Sequence, residues 1–184
     1  MLDEFKSDLN RLDSLQIYYK YILGAGCFLL DKDKEYQLKQ EICEKFKVEF
    51  TDIVLVGSGK LGFSIKPTRR FQCFNDESDI DVAIVSKELF EQVWQESFMY
   101  KKSEADWPSS RKFFKYLSEG WIRPDKLPPS HYFKFSSGWW KFFNGLTASN
   151  NYGDYKIRAG LYYSHFFLKQ YQSICIEQCI QENY

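Results

Sequence analysis

The chain has 184 residues, with 25 Lys+Arg balanced by 25 Asp+Glu. Zero net charge excludes a polybasic, non-specific nucleic-acid binder, although a local basic patch is still allowed. Ten Gly and five Pro exclude a low-complexity chain, and 44% hydrophobic with 27% charged residues is the balance of a globular protein of one compact domain. Aromatic residues, at 19%, are the outlier and call for an aromatic core, stacking surfaces or a partner interface.

Asp3, Glu4, Lys6, Asp8 and Arg11 precede any apolar run, so no secretory leader is expected. The early apolar patch over 21–30 is too short to span a bilayer and contains two Gly. Of the five cysteines only Cys175 and Cys179 are close, and no CxxC pair exists. That pattern points to reduced thiols in a cytoplasmic protein rather than to a zinc site.

In chain order, Phe5, Leu9, Leu12, Leu15, Tyr18 and Tyr21 predict one amphipathic helix over 3–23, closed by Gly24-Ala25-Gly26. Tyr36, Leu38, Ile42 and Phe46 predict a second over 33–47. The β-branched run 52–56 predicts a buried strand ending in the turn Gly57-Ser58-Gly59. A second strand is expected over 79–85, followed by a helix over 87–98 with Ser86 as its N-cap. Further on, helical spacing covers 111–117, a Pro-containing loop 120–129 and a short aromatic helix 138–143. A turn occupies 149–154. Residues 155–162 read equally as a strand or as the start of the last helix, placed at 164–181.

The chemistry concentrates between 57 and 81. On a strand, residues i and i+2 share a face about 7 Å apart. Asp79 and Asp81 therefore project together, with Ile80, Val82 and Ile84 opposite. Paired carboxylates repel unless a cation lies between them, and such hard oxygen donors suit Mg²⁺ or Mn²⁺. Gly57 and Gly59 allow backbone amides to approach a phosphate, and Ser58 adds a hydroxyl. Lys60, Lys66, Arg69 and Arg70 are cations suited to a polyphosphate. Each feature alone is ordinary: a turn, a solvated strand start, a surface loop. The segment is not a P-loop, since Phe63 follows Gly62 where Lys is required. The spacing Gly57-x-Gly59-x-x-Gly62 also lacks the acidic residue of a dinucleotide-binding unit.

Val56-Gly57-Ser58 followed by Ser78-Asp79-Ile80-Asp81-Val82-Ala83-Ile84 resembles the signature of the DNA polymerase β-type nucleotidyltransferase superfamily, over about residues 50–98. The resemblance implies an α/β (α+β) fold: a small twisted mixed sheet flanked by helices, with a helical half over about 105–184. It implies that Gly57 and Ser58 hold a nucleoside triphosphate, with ATP the expected one, and that Asp79 and Asp81 bind the metals. A nucleoside monophosphate would then pass to an acceptor hydroxyl on a protein, a nucleotide or an RNA end. Small stand-alone members resemble components of toxin–antitoxin and phage-defence systems, which implies a protein partner. The gap between Ser58 and Asp79 is longer than usual, implying an inserted basic loop over 66–75. The superfamily also supplies a third carboxylate from a later strand. No apolar-acid-apolar strand is evident here. Asp154 is the nearest candidate, and Glu177 falls on the last helix. The alternative reading is a degenerate member that binds nucleotide or a partner protein without turnover. His131 and His165 read as structural or exposed, the aromatic run 132–143 reads as core or interface, and 121–125 reads as a loop bordering the nucleotide pocket.

Overall fold

The computed structural model describes residues 1–103, 105–129 and 131–182. Its N-terminal region departs from the continuous helix that periodicity predicts. Helix α1 (Leu2–Leu9) ends, α2 (Ser14–Ile17) begins anew, and a π-helical turn, Tyr18–Gly24, follows. The break is a capping box. The Asp13 carboxylate accepts the Gln16 amide at 2.8 Å, and the Gln16 side chain accepts the Asp13 amide at 3.0 Å. Satisfying both free donors at a helix start makes Asp13 a beginning rather than a mid-helix residue.

Helix α3 (Lys32–Phe46) opens on an Asp31 cap and closes on Lys47 in the left-handed region. Strand β1 (Ile53–Val56) runs into the short helix α4 (Gly57–Leu61). Strand β2 (Ile80–Val85) leads into α5 (Lys87–Lys102), and the Ser86 hydroxyl accepts the Leu89 amide at 3.2 Å, the cap the sequence predicts. Then come α6 (Ser110–Ser118), the two-residue β3 (Trp121–Ile122), α7 (Lys134–Ala148), β4 (Ile157–Tyr162) and α8 (His165–Gln181). The short aromatic helix thus belongs to a longer one. The ambiguous stretch 155–162 becomes a strand because all six residues of β4 pair with β2.

The four strands form one mixed sheet in the order β1-β2-β4-β3. Strand β2 is antiparallel to β1 and parallel to β4, and β3 is antiparallel to β4. Alternation along β2 supplies two cores. Ile80, Val82 and Ile84 pack with Leu38 and Ile42 of α3, Phe90 and Val93 of α5, Phe113 of α6, and Trp139 and Phe143 of α7. Ala83 and Val85 pack with Phe5 of α1, Ile17 of α2, Leu61 of α4, and Leu168 and Ile176 of α8. Helices therefore cover both faces of a small mixed sheet, the α+β class expected. The aromatic excess goes largely into these cores; the Phe46 ring, for example, lies 5.0 Å from that of Trp139 and 5.8 Å from that of Phe143. No helix among the described residues is long and apolar enough to cross a membrane.

One buried charge ties α1 to the π-helical turn. Asp8 is 2% exposed and accepts hydrogen bonds from Lys20 Nζ at 2.6 Å and Tyr21 Oη at 2.8 Å, with Arg11 alongside. The Lys20 bond, then that of Tyr21, holds its carboxyl down to about 2. The folded value lies below the unfolded one of about 3.9, so the stabilisation is complete above that value and is lost as pH falls through about 2.

Two outcomes follow from this packing. Ile84→Ala, at a central position with no solvent exposure, lowers the unfolding free energy by about 2–5 kcal/mol in urea titrations. Asp8→Asn flattens the acid limb of the melting-temperature profile between about pH 4 and pH 2; a profile parallel to wild type excludes Asp8 as the titrating group.

Candidate functional site

Antiparallel pairing puts the end of β1 beside the start of β2, with Val56 opposite Asp81. The Gly-Ser bend and the two aspartates thus meet at one end of the sheet although more than twenty residues separate them. Gly57 is the residue that permits this. Its φ is +72°, and a Cβ there would lie 2.4 Å from Asp81 Oδ2 and 3.2 Å from Asp81 Cβ. Both backbone conformation and contact demand glycine. Gly59 is less constrained, since an added Cβ would make ordinary contact with the Asp79 carbonyl at 3.5 Å.

Around this junction is a cavity of about 660 Å³, within the usual range for small-molecule sites. Gly57, Ser58, Lys66, Asp79 and Asp81 line one part of it. Trp121, Arg123, Asp125, Trp140, Arg158, Tyr162 and Tyr171 line the rest. Desolvation pushes the Asp81 carboxyl above the usual carboxylate range. Lys66 opposes that rise, Asp79 adds to it, and Arg158 opposes it again. Lys66 Nζ is 3.8 Å from Asp81 Oδ2 and more than half exposed. Among the described residues no hydrogen bond reaches either aspartate side chain.

Two hard carboxylates without donors, facing one cavity, fit a divalent cation that also takes oxygens from a phosphate and from water. They are not a self-sufficient cage. Among the described residues no group of three His, Cys, Asp or Glu side chains is placed to hold a metal ion.

The remaining candidates are dispersed. Lys60 is 5% exposed and donates to the Ala25 carbonyl, and burial pushes its pKa down. Arg69 is exposed at the end of the 3₁₀ turn Pro67–Arg69, and the largely buried Arg70 side chain pairs with Glu182. None of these three cations lines the cavity. Asp154 is exposed in the turn before β4 and does not line it either. Glu177 is exposed on α8 and accepts from Ser14 Oγ at 2.9 Å. His165 lies 2.9 Å from Asp52, and His131 is exposed.

Arg158 and Trp140 are among the cavity residues that escape the sequence reading. Arg158 is the β4 partner of Asp81, so the position beside the paired aspartates on the neighbouring later strand carries a guanidinium rather than an acid. Its Cζ lies 5.5 Å from the ring centroid of Trp140, which lines the cavity while its neighbour Trp139 is core. A signal for Arg158 exists: Ile157, Ala159 and Leu161 alternate with Arg158, Gly160 and Tyr162, a period-2 pattern that sets Arg158 opposite the apolar face. The segment 121–125 does border the cavity. Trp121 stacks on Tyr162 with 4° between the rings, over Gly160, where a Cβ would lie 2.6 Å from the indole nitrogen. Arg123 caps that stack and grips Asp125 through two bonds of 3.1 Å. Desolvation raises the Asp125 carboxyl, but Lys126 and Arg123 together hold it below the usual range.

The Gly57–Asp81 contact is measurable. Gly57→Ala destabilises the chain by about 1–3 kcal/mol, and by at least about 0.5 kcal/mol less in an Asp81→Ala background, where the clashing carboxylate is gone. Additive costs in a urea-denaturation double-mutant cycle exclude the contact. No protein-family model matches this chain, and neither does any curated protein or solved structure, so the geometry of the cavity alone bears on its function.

Proposed function

We propose that the chain is a divalent-cation-dependent nucleotidyltransferase that moves a nucleoside monophosphate from a nucleoside triphosphate, ATP first among them, to an acceptor hydroxyl. The observation that carries this reading is the meeting of the Gly57-Ser58 bend with Asp79 and Asp81 in one cavity. Asp79 and Asp81 would hold Mg²⁺ or Mn²⁺, which when bound neutralises phosphate charge and polarises the phosphoryl group. Ser58, which lines the cavity, would donate its hydroxyl to a phosphate oxygen, and Lys66 would add a positive charge beside Asp81. In the reaction the acceptor oxygen bonds to the α-phosphorus, its proton leaves to solvent, and the bond to the bridging oxygen breaks to release pyrophosphate. The acceptor class, with a protein partner among the candidates, is read from the labelled product.

A second reading has its own support. Arg158 stands where the resemblance calls for a third acid, and this favours a protein that binds nucleotide as a regulator without turning it over.

One experiment separates the two: incubation with each labelled nucleoside triphosphate and Mg²⁺ or Mn²⁺. Pyrophosphate release that falls by at least about 100-fold in Asp79→Ala/Asp81→Ala supports the transferase. Binding without release supports the regulator. Neither binding nor release removes both.

A further inference from the structure

We infer that Arg158 is a built-in cation that stands in for a second divalent ion, so that the site binds a nucleoside triphosphate with one metal ion and one guanidinium. This inference rests on the nucleotide reading above and adds to it the phosphate ligand and the metal count.

The register is the first support. Asp81 and Arg158 are directly paired on parallel strands, where paired side chains leave the same face of the sheet and the backbones run about 4.8 Å apart. Both residues line the cavity. The guanidinium is therefore beside the carboxylates by backbone construction and not by the reach of a flexible loop.

The second support is what Arg158 lacks. Among the described residues no hydrogen bond or ion pair occupies its donors. Its guanidinium lies over the Trp140 ring at 5.5 Å and acts on Asp81 through charge alone. An aromatic contact of that kind steadies the planar group while leaving its N–H fork free to grip a phosphate. Arg123, the other arginine of the cavity, is already committed to Asp125.

The third support is charge. Guanidinium remains protonated at any working pH. A second divalent ion next to Asp81 would face this fixed positive charge and would find two carboxylates already shared with the first ion. One ion between Asp79 and Asp81, with Arg158 and Lys66 toward the phosphates, gives a role to each charge that lines that part of the cavity.

The test counts ions and measures affinity without turnover. Wild type and variants are titrated with Mn²⁺ and a non-hydrolysable ATP analogue. Free Mn²⁺ is read by electron paramagnetic resonance, nucleotide affinity by calorimetry, and folding by thermal melts. Wild type is expected to take up one Mn²⁺ per bound nucleotide. Arg158→Ala is expected to weaken nucleotide binding about 10- to 100-fold, with Arg158→Lys recovering part of it. Arg158→Asp, which supplies a third carboxylate, is expected to raise the count to two. Two Mn²⁺ in wild type, or unchanged affinity in Arg158→Ala, overturns the inference and leaves the transferase reading standing. Wild type that binds neither nucleotide nor Mn²⁺ overturns both.

Discussion

The antiparallel pairing of β1 with β2 forces the last residue of one strand against the first carboxylates of the next, and only a residue without a side chain fits between them. Gly57 meets that demand with a left-handed backbone and no Cβ. From there α4 lies against the start of β2, Ser58 lines the same cavity as Asp79 and Asp81, and the sheet ends in a polar mouth. The strands beyond that point are apolar on both faces. Helices cover them, and the core of the molecule begins about one residue away from its charges.

That closeness has an energetic cost. Asp81 is partly withdrawn from water, has Asp79 as a like-charged neighbour and receives no hydrogen bond from the described residues, an arrangement that disfavours its charged form. A domain of this size is stabilised by only about 5–15 kcal/mol, so unfavourable electrostatics at one site must be offset by packing elsewhere. The interlocked aromatic groups on the α3–α7 side and the Asp8–Lys20–Tyr21 cluster on the α1 side are such offsets. Asp8 and Asp81 show the contrast. Both are withdrawn carboxylates; one is surrounded by donors and structural, the other accepts no hydrogen bond from the described residues, has Lys66 at 3.8 Å and faces the cavity.

What could be read from the sequence is what local chemistry decides. The β-branched runs gave β1 and β2, Ser86 marked the start of α5, and the alternation of Asp79 and Asp81 with Ile80 and Val82 gave the shared face. Apolar spacing carries on past Asp13 and predicts too long an N-terminal helix, while the capping box Asp13–Gln16 that resets the backbone is a competing local signal. Lys60 and Arg70 stand near the Gly-Ser bend in sequence, but tertiary packing turns one onto the Ala25 carbonyl and the other toward Glu182. Period-2 alternation sets Arg158 opposite the apolar face of β4, but its pairing with Asp81 is a matter of register across seventy-odd residues, which no local pattern encodes. Trp140 and Trp139 are chain neighbours on α7, and only the packing of that helix separates the cavity residue from the core residue.

The inward turn of Lys60 has a mechanical consequence. Its ammonium is fastened to the Ala25 carbonyl, while the carbonyls of Gly59 and Lys60 accept the amides of Leu29 and Phe28, and the Phe28 ring rests on Gly62. The segment 25–30 is thereby stitched along the back of the short helix. Gly57 and Ser58, the two residues of that helix that line the cavity, are thus braced from behind, which lowers the ordering entropy a ligand must overcome there.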